Sequence, residues 1–262
     1  MKSLIIFFIL INFSILPQSI VERNDFKKFF NEYNQNGCFV LYNLNEDEYF
    51  KYNSERCKEG FIPASTFKIF NSLASLETGA VKDENEITKW DSVKRSYDTW
   101  NQDLDMKRAY KYSAVWFYQE LARRVGYDKM KYYIEANHYG NENINGGIDK
   151  FWLKGDLRIS PDEQIEFLKN LYLNKVKFSQ RTIDIVKNIM IYEQNEDYTI
   201  RAKTGWGTQD NEEIGWFVGY VEAHNNAYFF AINIGTTKPD ESFISRINIT
   251  YNILKYLNII KQ

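Results

Sequence analysis

Histidine and cysteine are nearly absent from this chain of 262 residues, which holds two of each, and the shortage removes several chemistries at once. Zinc sites need His and Cys at ligand spacing, which two cysteines and two isolated histidines do not supply, so no metal is expected. A Ser-His-Asp triad would have to use His138, because His224 falls in a turn expected at His224-Asn225-Asn226, and no G-x-S-x-G elbow exists. Cys38 and Cys57 are too few for a disulfide framework. In an oxidising compartment they could pair across the intervening loop or remain two separate thiols, and the sequence leaves both open. Neither a Walker loop nor a G-x-G-x-x-G fingerprint is present, so no nucleotide cofactor is expected. Charge nearly cancels, 33 basic residues against 35 acidic, which leaves no large positive field for nucleic acid.

A long apolar run is also missing. Residues 4–16 are mostly apolar, but a spanning helix needs roughly 20 such residues, and this run is interrupted by Asn12 and Ser14. With Lys2 before it and Pro17-Gln18-Ser19 behind it, the run reads as a signal peptide, residues 1–19, cut near Ser19, and not as stable membrane insertion. Export to the periplasm follows from that reading. Residues 20–262 are expected to form one domain, acting as a monomer or homodimer. The 44% of hydrophobic residues suffices for a core, and no repeat or Pro/Ser-rich linker divides the chain.

The apolar run at residues 37–42 predicts a strand, with residues 49–52 as its hairpin partner and the turn at 43–47. Residues 65–77 carry apolar positions at helical spacing and stop at Gly79, so a buried helix starts close to Ser65. Residues 113–124 predict a second helix ended by Gly126. Ser160-Pro161-Asp162-Glu163 opens a third, with a Ser cap, an early Pro and a Glu three residues after the cap. Between these two, residues 139–157 hold Gly140, Gly146, Gly147 and Gly155 and read as a long loop carrying Phe151 and Trp152. Residues 198–206, 215–222 and 228–234 predict an antiparallel meander, and 244–260 a helix packed on it. Strands at both ends with helices between them imply an α/β fold of the α+β type, a central antiparallel sheet flanked by helices, plus a mainly helical lobe at roughly 80–175.

What remains for chemistry is a serine nucleophile whose base is not histidine. Ser65-Thr66-Phe67-Lys68 is the only S-x-x-K among the fourteen serines. Positions i and i+3 share a helix face, so the Lys68 amine can reach the Ser65 hydroxyl, and the positive end of the helix favours negative charge developing there. Burial beside Phe67 and Ile69 would lower the pKa of Lys68 and free it to accept a proton. An isolated S-x-x-K is an ordinary helix turn. Here a second serine motif, Ser113-Ala114-Val115, and Lys203-Thr204-Gly205 follow in the order expected of the serine penicillin-recognising enzymes. In the third motif Lys203 brings a cation, Thr204 a hydroxyl, and Gly205 lets a substrate backbone approach the strand edge.

With these motifs the sequence resembles the class D (oxacillinase-type) serine β-lactamases, and the similarity extends over residues 37–246. The matching runs include Phe61-Ile62-Pro63-Ala64 before Ser65, Trp100-Asn101-Gln102-Asp103, Lys111-Tyr112 before Ser113, Tyr139-Gly140-Asn141, Phe151-Trp152-Leu153, Trp206 after Gly205, and Gly215-Trp216-Phe217-Val218-Gly219-Tyr220. Class A enzymes would have Ser-Asp-Asn at the second motif and transpeptidases usually Asn at Val115; the apolar Val115 and the Tyr-Gly-Asn favour class D.

The resemblance implies a β-lactamase/transpeptidase-like fold and a Ser65 acyl-enzyme that hydrolyses penicillin-type antibiotics. No cofactor is implied beyond carbon dioxide or bicarbonate, which would carboxylate Lys68 to a carbamate base in a dry pocket walled by Phe67, Val115 and Trp152. The backbone N–H groups of Ser65 and Trp206 would form the oxyanion hole, and Ser113 with Lys203 would protonate the departing nitrogen. Thr204 and Arg246 would bind the substrate carboxylate, with Lys238 a rival cation. Tyr139, Gly140 and Asn141 would shape the loop that carries Trp152. Two other members of the superfamily acylate without turnover: D,D-transpeptidases, against which Val115 and Trp152 argue, and penicillin-binding sensors, which carry membrane helices and an effector domain.

Overall fold

The structure, a computed structural model, describes residues 19–236 and 243–261; the expected leader lies outside them except for Ser19, and so does Lys238. The chain opens with strand β1 (Ser19–Glu22), helix α1 (Lys27–Glu32), and the hairpin β2 (Asn36–Asn43) and β3 (Glu48–Tyr52). Helices α2 (Ser54–Lys58), α3 (Lys68–Glu77), α4 (Met106–Lys111), α5 (Val115–Val125), α6 (Tyr127–Ala136), α7 (Pro161–Tyr172) and α8 (Gln180–Ile189) follow. Strands β4 (Ile191–Gln194), β5 (Tyr198–Gln209), β6 (Glu212–Ala223) and β7 (Asn226–Thr236) and helix α9 (Ser245–Tyr256) complete it.

The seven strands form one sheet in the order β1-β3-β2-β7-β6-β5-β4. The sheet is not wholly antiparallel as expected. β1 runs parallel to β3, because the chain leaves β1 through α1, crosses to β2 and returns by the hairpin, so β3 docks beside β1 in the same sense. Both faces of the central strands are covered, which explains their nearly continuous apolar sequences. Phe39, Leu41, Phe217, Phe230 and Ile232 face Phe26, Phe30, Ile249 and Ile253 of the terminal segments. Val40, Tyr42, Trp216, Val218 and Tyr220 face the helical side, which contains α3 and α7. Helix α3 is buried from Lys68 to Leu76, so it forms the hub of that side.

The third expected helix start is present in full: Ser160 and Glu163 form a reciprocal capping box with Pro161 in the first turn. The predicted long loop carries no helix or strand between α6 and α7. Two starts differ. Ser65 lies in a 3₁₀ turn, Ala64–Phe67, and the α-helix proper begins at Lys68. Ser113 does not open α5; it holds φ at +56° two residues before it. Cys38 and Cys57 are both free and buried, so the two-thiol alternative describes this structure.

Candidate active site

The nucleophile candidate sits where strand, helix and loop converge. Ala64 donates its N–H to the Trp152 carbonyl at 3.0 Å, tying the 3₁₀ turn to the long loop. Thr66 Oγ1 donates to the Pro63 carbonyl at 2.8 Å and accepts from Gln164 Nε2 of α7 at 3.0 Å. Ala64 itself has φ +48°, a conformation that costs a residue with a β-carbon about 1 kcal/mol or more and persists where surrounding contacts impose it. Strand β5 closes the other side: a β-carbon on Gly205 would lie 3.0 Å from both the Pro63 carbonyl oxygen and Thr66 Cγ2. Only a bare backbone allows Lys203-Thr204-Gly205-Trp206 to pass this close to Ser65.

Lys68 Nζ and Ser65 Oγ lie 2.6 Å apart, the i to i+3 contact expected from the sequence. Lys68 is fully buried, and that burial, with a smaller contribution from the positive charge of Lys203, holds its pKa well below the usual lysine range. Lys68 is anchored through its backbone, whose carbonyl accepts from Ser72 Oγ at 2.8 Å, while Ser72 pairs with the Tyr118 hydroxyl at 3.0 Å. Lys203, also buried, donates to the carbonyl and hydroxyl oxygens of Thr204 at 3.2 and 3.3 Å. Burial first, and the charge of Arg246 second, bring its pKa down to about 7.

A cleft of about 240 Å³ is lined by Ser65, Ser113, Val115, Thr204, Gly205, Trp206 and Arg246, so seven of the expected site residues meet on one cavity. Ser113 reaches it from its left-handed backbone, but its hydroxyl makes no hydrogen bond to Lys203 or Lys68 among the described residues. Arg246 is the least solvated of the expected site charges after Lys68. It is 1% exposed, its Nε donates to the Trp216 carbonyl at 2.9 Å, and its guanidinium lies 4.5 Å from the Phe243 ring and 5.1 Å from the Trp206 ring. Burial lowers its pKa to about 10, and its Nη1 is buried without a partner among the described residues. An unpaired buried guanidinium nitrogen at a cleft marks a place for an anion.

Trp152 is fully buried and stacks on Phe67 at 5.2 Å. The loop beneath it is built as expected for a structural role. Gly140 has φ +56° and a β-carbon there would fall 2.1 Å from the Arg158 carbonyl oxygen; Asn141 donates to the Asp156 carbonyl and accepts from Arg158 N–H. Sequence reasoning missed Tyr112 and Phe243, which complete the cleft wall with Tyr97 and Trp100. Tyr112 stands next to Ser113 and was findable by adjacency; nothing in the sequence distinguishes Phe243.

Comparison with known proteins identifies the family. The family model for the penicillin binding protein transpeptidase domain matches residues 26–255. Beta-lactamase OXA-48 of Klebsiella pneumoniae is 46% identical over 239 residues, covering 91% of this chain and 90% of its own. The crystal structure of a class D beta-lactamase from Sebaldella termitidis superposes with a TM-score of 0.90 at 41% identity, over 93% of this chain and all of that one. The regulatory protein BlaR1 of Bacillus licheniformis is 39% identical over 220 residues, 84% of this chain but 36% of its own length. Whole-length identity to β-lactamases, on a shared fold with the three motifs facing one cleft, means that this chain belongs to the class D β-lactamases within the transpeptidase-domain family.

Proposed function

We propose that this enzyme hydrolyses the β-lactam ring of penicillin-type antibiotics through an acyl-enzyme on Ser65, and so confers resistance to them. The observation that carries the reading is the 2.6 Å contact between Ser65 Oγ and a fully buried Lys68 whose ammonium is disfavoured. A neutral amine at that distance accepts the serine proton as Oγ attacks the carbonyl carbon of the ring. The ring C–N bond then opens, and its nitrogen takes a proton through Ser113 with Lys203 as the reservoir, a role suited to a lysine with pKa about 7. The N–H groups of Ser65 and Trp206 receive the oxyanion. Thr204 and the unpaired Nη1 of Arg246 bind the substrate carboxylate, and water finally releases the acyl group.

N-carboxylation of Lys68 fits these residues. Carbon dioxide reacts with a neutral amine, which burial provides; the buried Trp152 would offer its indole N–H as the donor to the carbamate, with Phe67 and Val115 as two apolar walls. Once formed, the carbamate would take over from the bare amine as general base in both half-reactions. The enzyme acts outside the cytoplasm, in the periplasm, after loss of residues 1–19. Among the described residues no helix is long and apolar enough to cross a membrane.

A second reading, a sensor that stays acylated, draws on the similarity to BlaR1. Purified protein mixed with a chromogenic cephalosporin, with and without bicarbonate, separates the two. Sustained turnover that rises with bicarbonate is expected, whereas a stoichiometric burst without turnover would establish the sensor or transpeptidase reading.

A further inference from the structure

Behind the strand that carries Lys203 lies a larger cavity, about 550 Å³, which shares Thr204 with the cleft and is bounded by α4, the end of α8 and edge strand β4. We propose that this second chamber binds an amphiphilic organic anion, an aromatic carboxylate, and that its occupancy tunes Lys203.

The charge of the chamber is one-sided. Lys107, Lys111 and Lys203 line it, and no aspartate or glutamate does. Lys107 is already engaged by Glu84 at 3.3 Å and Asn85 at 2.9 Å on the rim. Lys111 is exposed and makes no ion pair or hydrogen bond among the described residues, which leaves its ammonium to a ligand. Lys203 forms the floor, with two bonds to its neighbour Thr204 and its ammonium 5.5 Å from the Tyr110 ring.

The lining from the end of α8 and from β4 is largely apolar. Ile189 is buried, and Ile191 and Tyr192 on β4 are 40% and 46% exposed, large side chains left uncovered at the edge of the sheet. Cations from α4 and β5 combined with exposed hydrocarbon from β4 suit a ligand that carries both a carboxylate and a ring. A volume of this size accommodates a bicyclic molecule. A carboxylate that enters toward the floor stabilises the charged form of Lys203, which opposes proton release into the catalytic cleft. The binding claim stands on the chamber alone; its effect on rate rests on the role proposed above for Lys203.

The test uses 2-naphthoate with the full-length processed enzyme, binding read by ligand-observed NMR and turnover by a chromogenic cephalosporin. Binding below about 10 mM is expected, weakened about tenfold or more by Ile191→Glu and by Lys111→Gln and altered less than about twofold by Arg246→Ala. Ile191 is exposed on an edge strand, so its replacement leaves the core intact. Naphthoate should lower kcat of the unmodified enzyme with little change in KM, and should not do so in Ile191→Glu. Three results would overturn the proposal: no binding at that concentration, binding lost in Arg246→Ala but retained in Ile191→Glu, or purely competitive inhibition. An enzyme that binds naphthoate as described yet turns over no β-lactam would refute the catalytic reading and leave the site standing.

Discussion

Replacing Lys203 with methionine keeps the stem that fills the strand face and removes the buried charge. In the folded chain Lys203 has a pKa of about 7, against an ordinary value of about 10.4, a difference equivalent to about 5 kcal/mol against the ammonium. Between those two values the unfolded chain binds the proton that the folded chain lacks, so stability rises with pH across the window. The penalty is full below pH 7 and is relieved toward pH 10. From pH 7 to pH 9 the relief amounts to about 2 kcal/mol. Lys203→Met has no such slope and should be the more stable protein at pH 7, with the difference shrinking as pH rises, even though it loses activity. Lys68 titrates in both proteins. Once Lys203 loses its charge above pH 7, the contribution of Lys68 is nearly the same in the two proteins and leaves the contrast to Lys203. Urea unfolding followed by tryptophan fluorescence, in buffers purged of carbon dioxide at pH 7, 8 and 9, measures it. Parallel stability profiles for the two proteins would refute the assignment of Lys203 as a buried, disfavoured cation.

Three substitutions probe the rest of the site. Trp152→Phe keeps the ring stacked on Phe67 and deletes the N–H, so it should slow deacylation more than acylation and raise the demand for bicarbonate; unaltered turnover and bicarbonate response would contradict the role given to that indole. Arg246→Ala removes a charged donor from the proposed carboxylate site and should raise KM about 10–100-fold while changing kcat little, whereas an equal loss in both would place Arg246 elsewhere in the reaction. Gly205→Ala drives a methyl group against the Pro63 carbonyl and should lower stability by about 1–3 kcal/mol together with activity. An unshifted urea midpoint would show that β5 and the Ser65 turn are not packed as described.

The fold was legible where sequence pattern and tertiary contacts ask for the same structure. The meander β5-β6-β7, the hairpin β2-β3 and the capped start of α7 each carry their own local signal, and each is present. The four-residue strands β1 and β4 carry none, since Ser-Ile-Val-Glu and Ile-Tyr-Glu-Gln acquire strand character from the neighbours they pair with. Ser113 shows a different limit. Its residue type favours a helix cap, and propensity cannot foresee that the chain holds it at φ +56° to face the cleft. Arg246 follows the same logic, a charge at a helix start that local reasoning places in solvent and the structure buries behind Phe243.

Lys68, Lys203 and Arg246 are three cations held close together with little solvent, each disfavoured by burial, and two of them by the charge of another. Such a cluster is unfavourable for the empty protein and complementary to an anionic ligand. A ligand carboxylate at Arg246 offsets part of that repulsion and restores the charged form of Lys203. Binding then takes up protons near pH 7, and by linkage the affinity for a carboxylate ligand falls as pH rises through that value. The sign is opposite to that of the stability of the free enzyme, which increases over the same interval. Isothermal titration of the Ser65→Ala protein with a penicillin in buffers of different ionisation enthalpy reports the protons bound per ligand. A positive uptake at pH 7 that vanishes at pH 9 is expected, and zero uptake at both would show that Lys203 does not sense the substrate carboxylate.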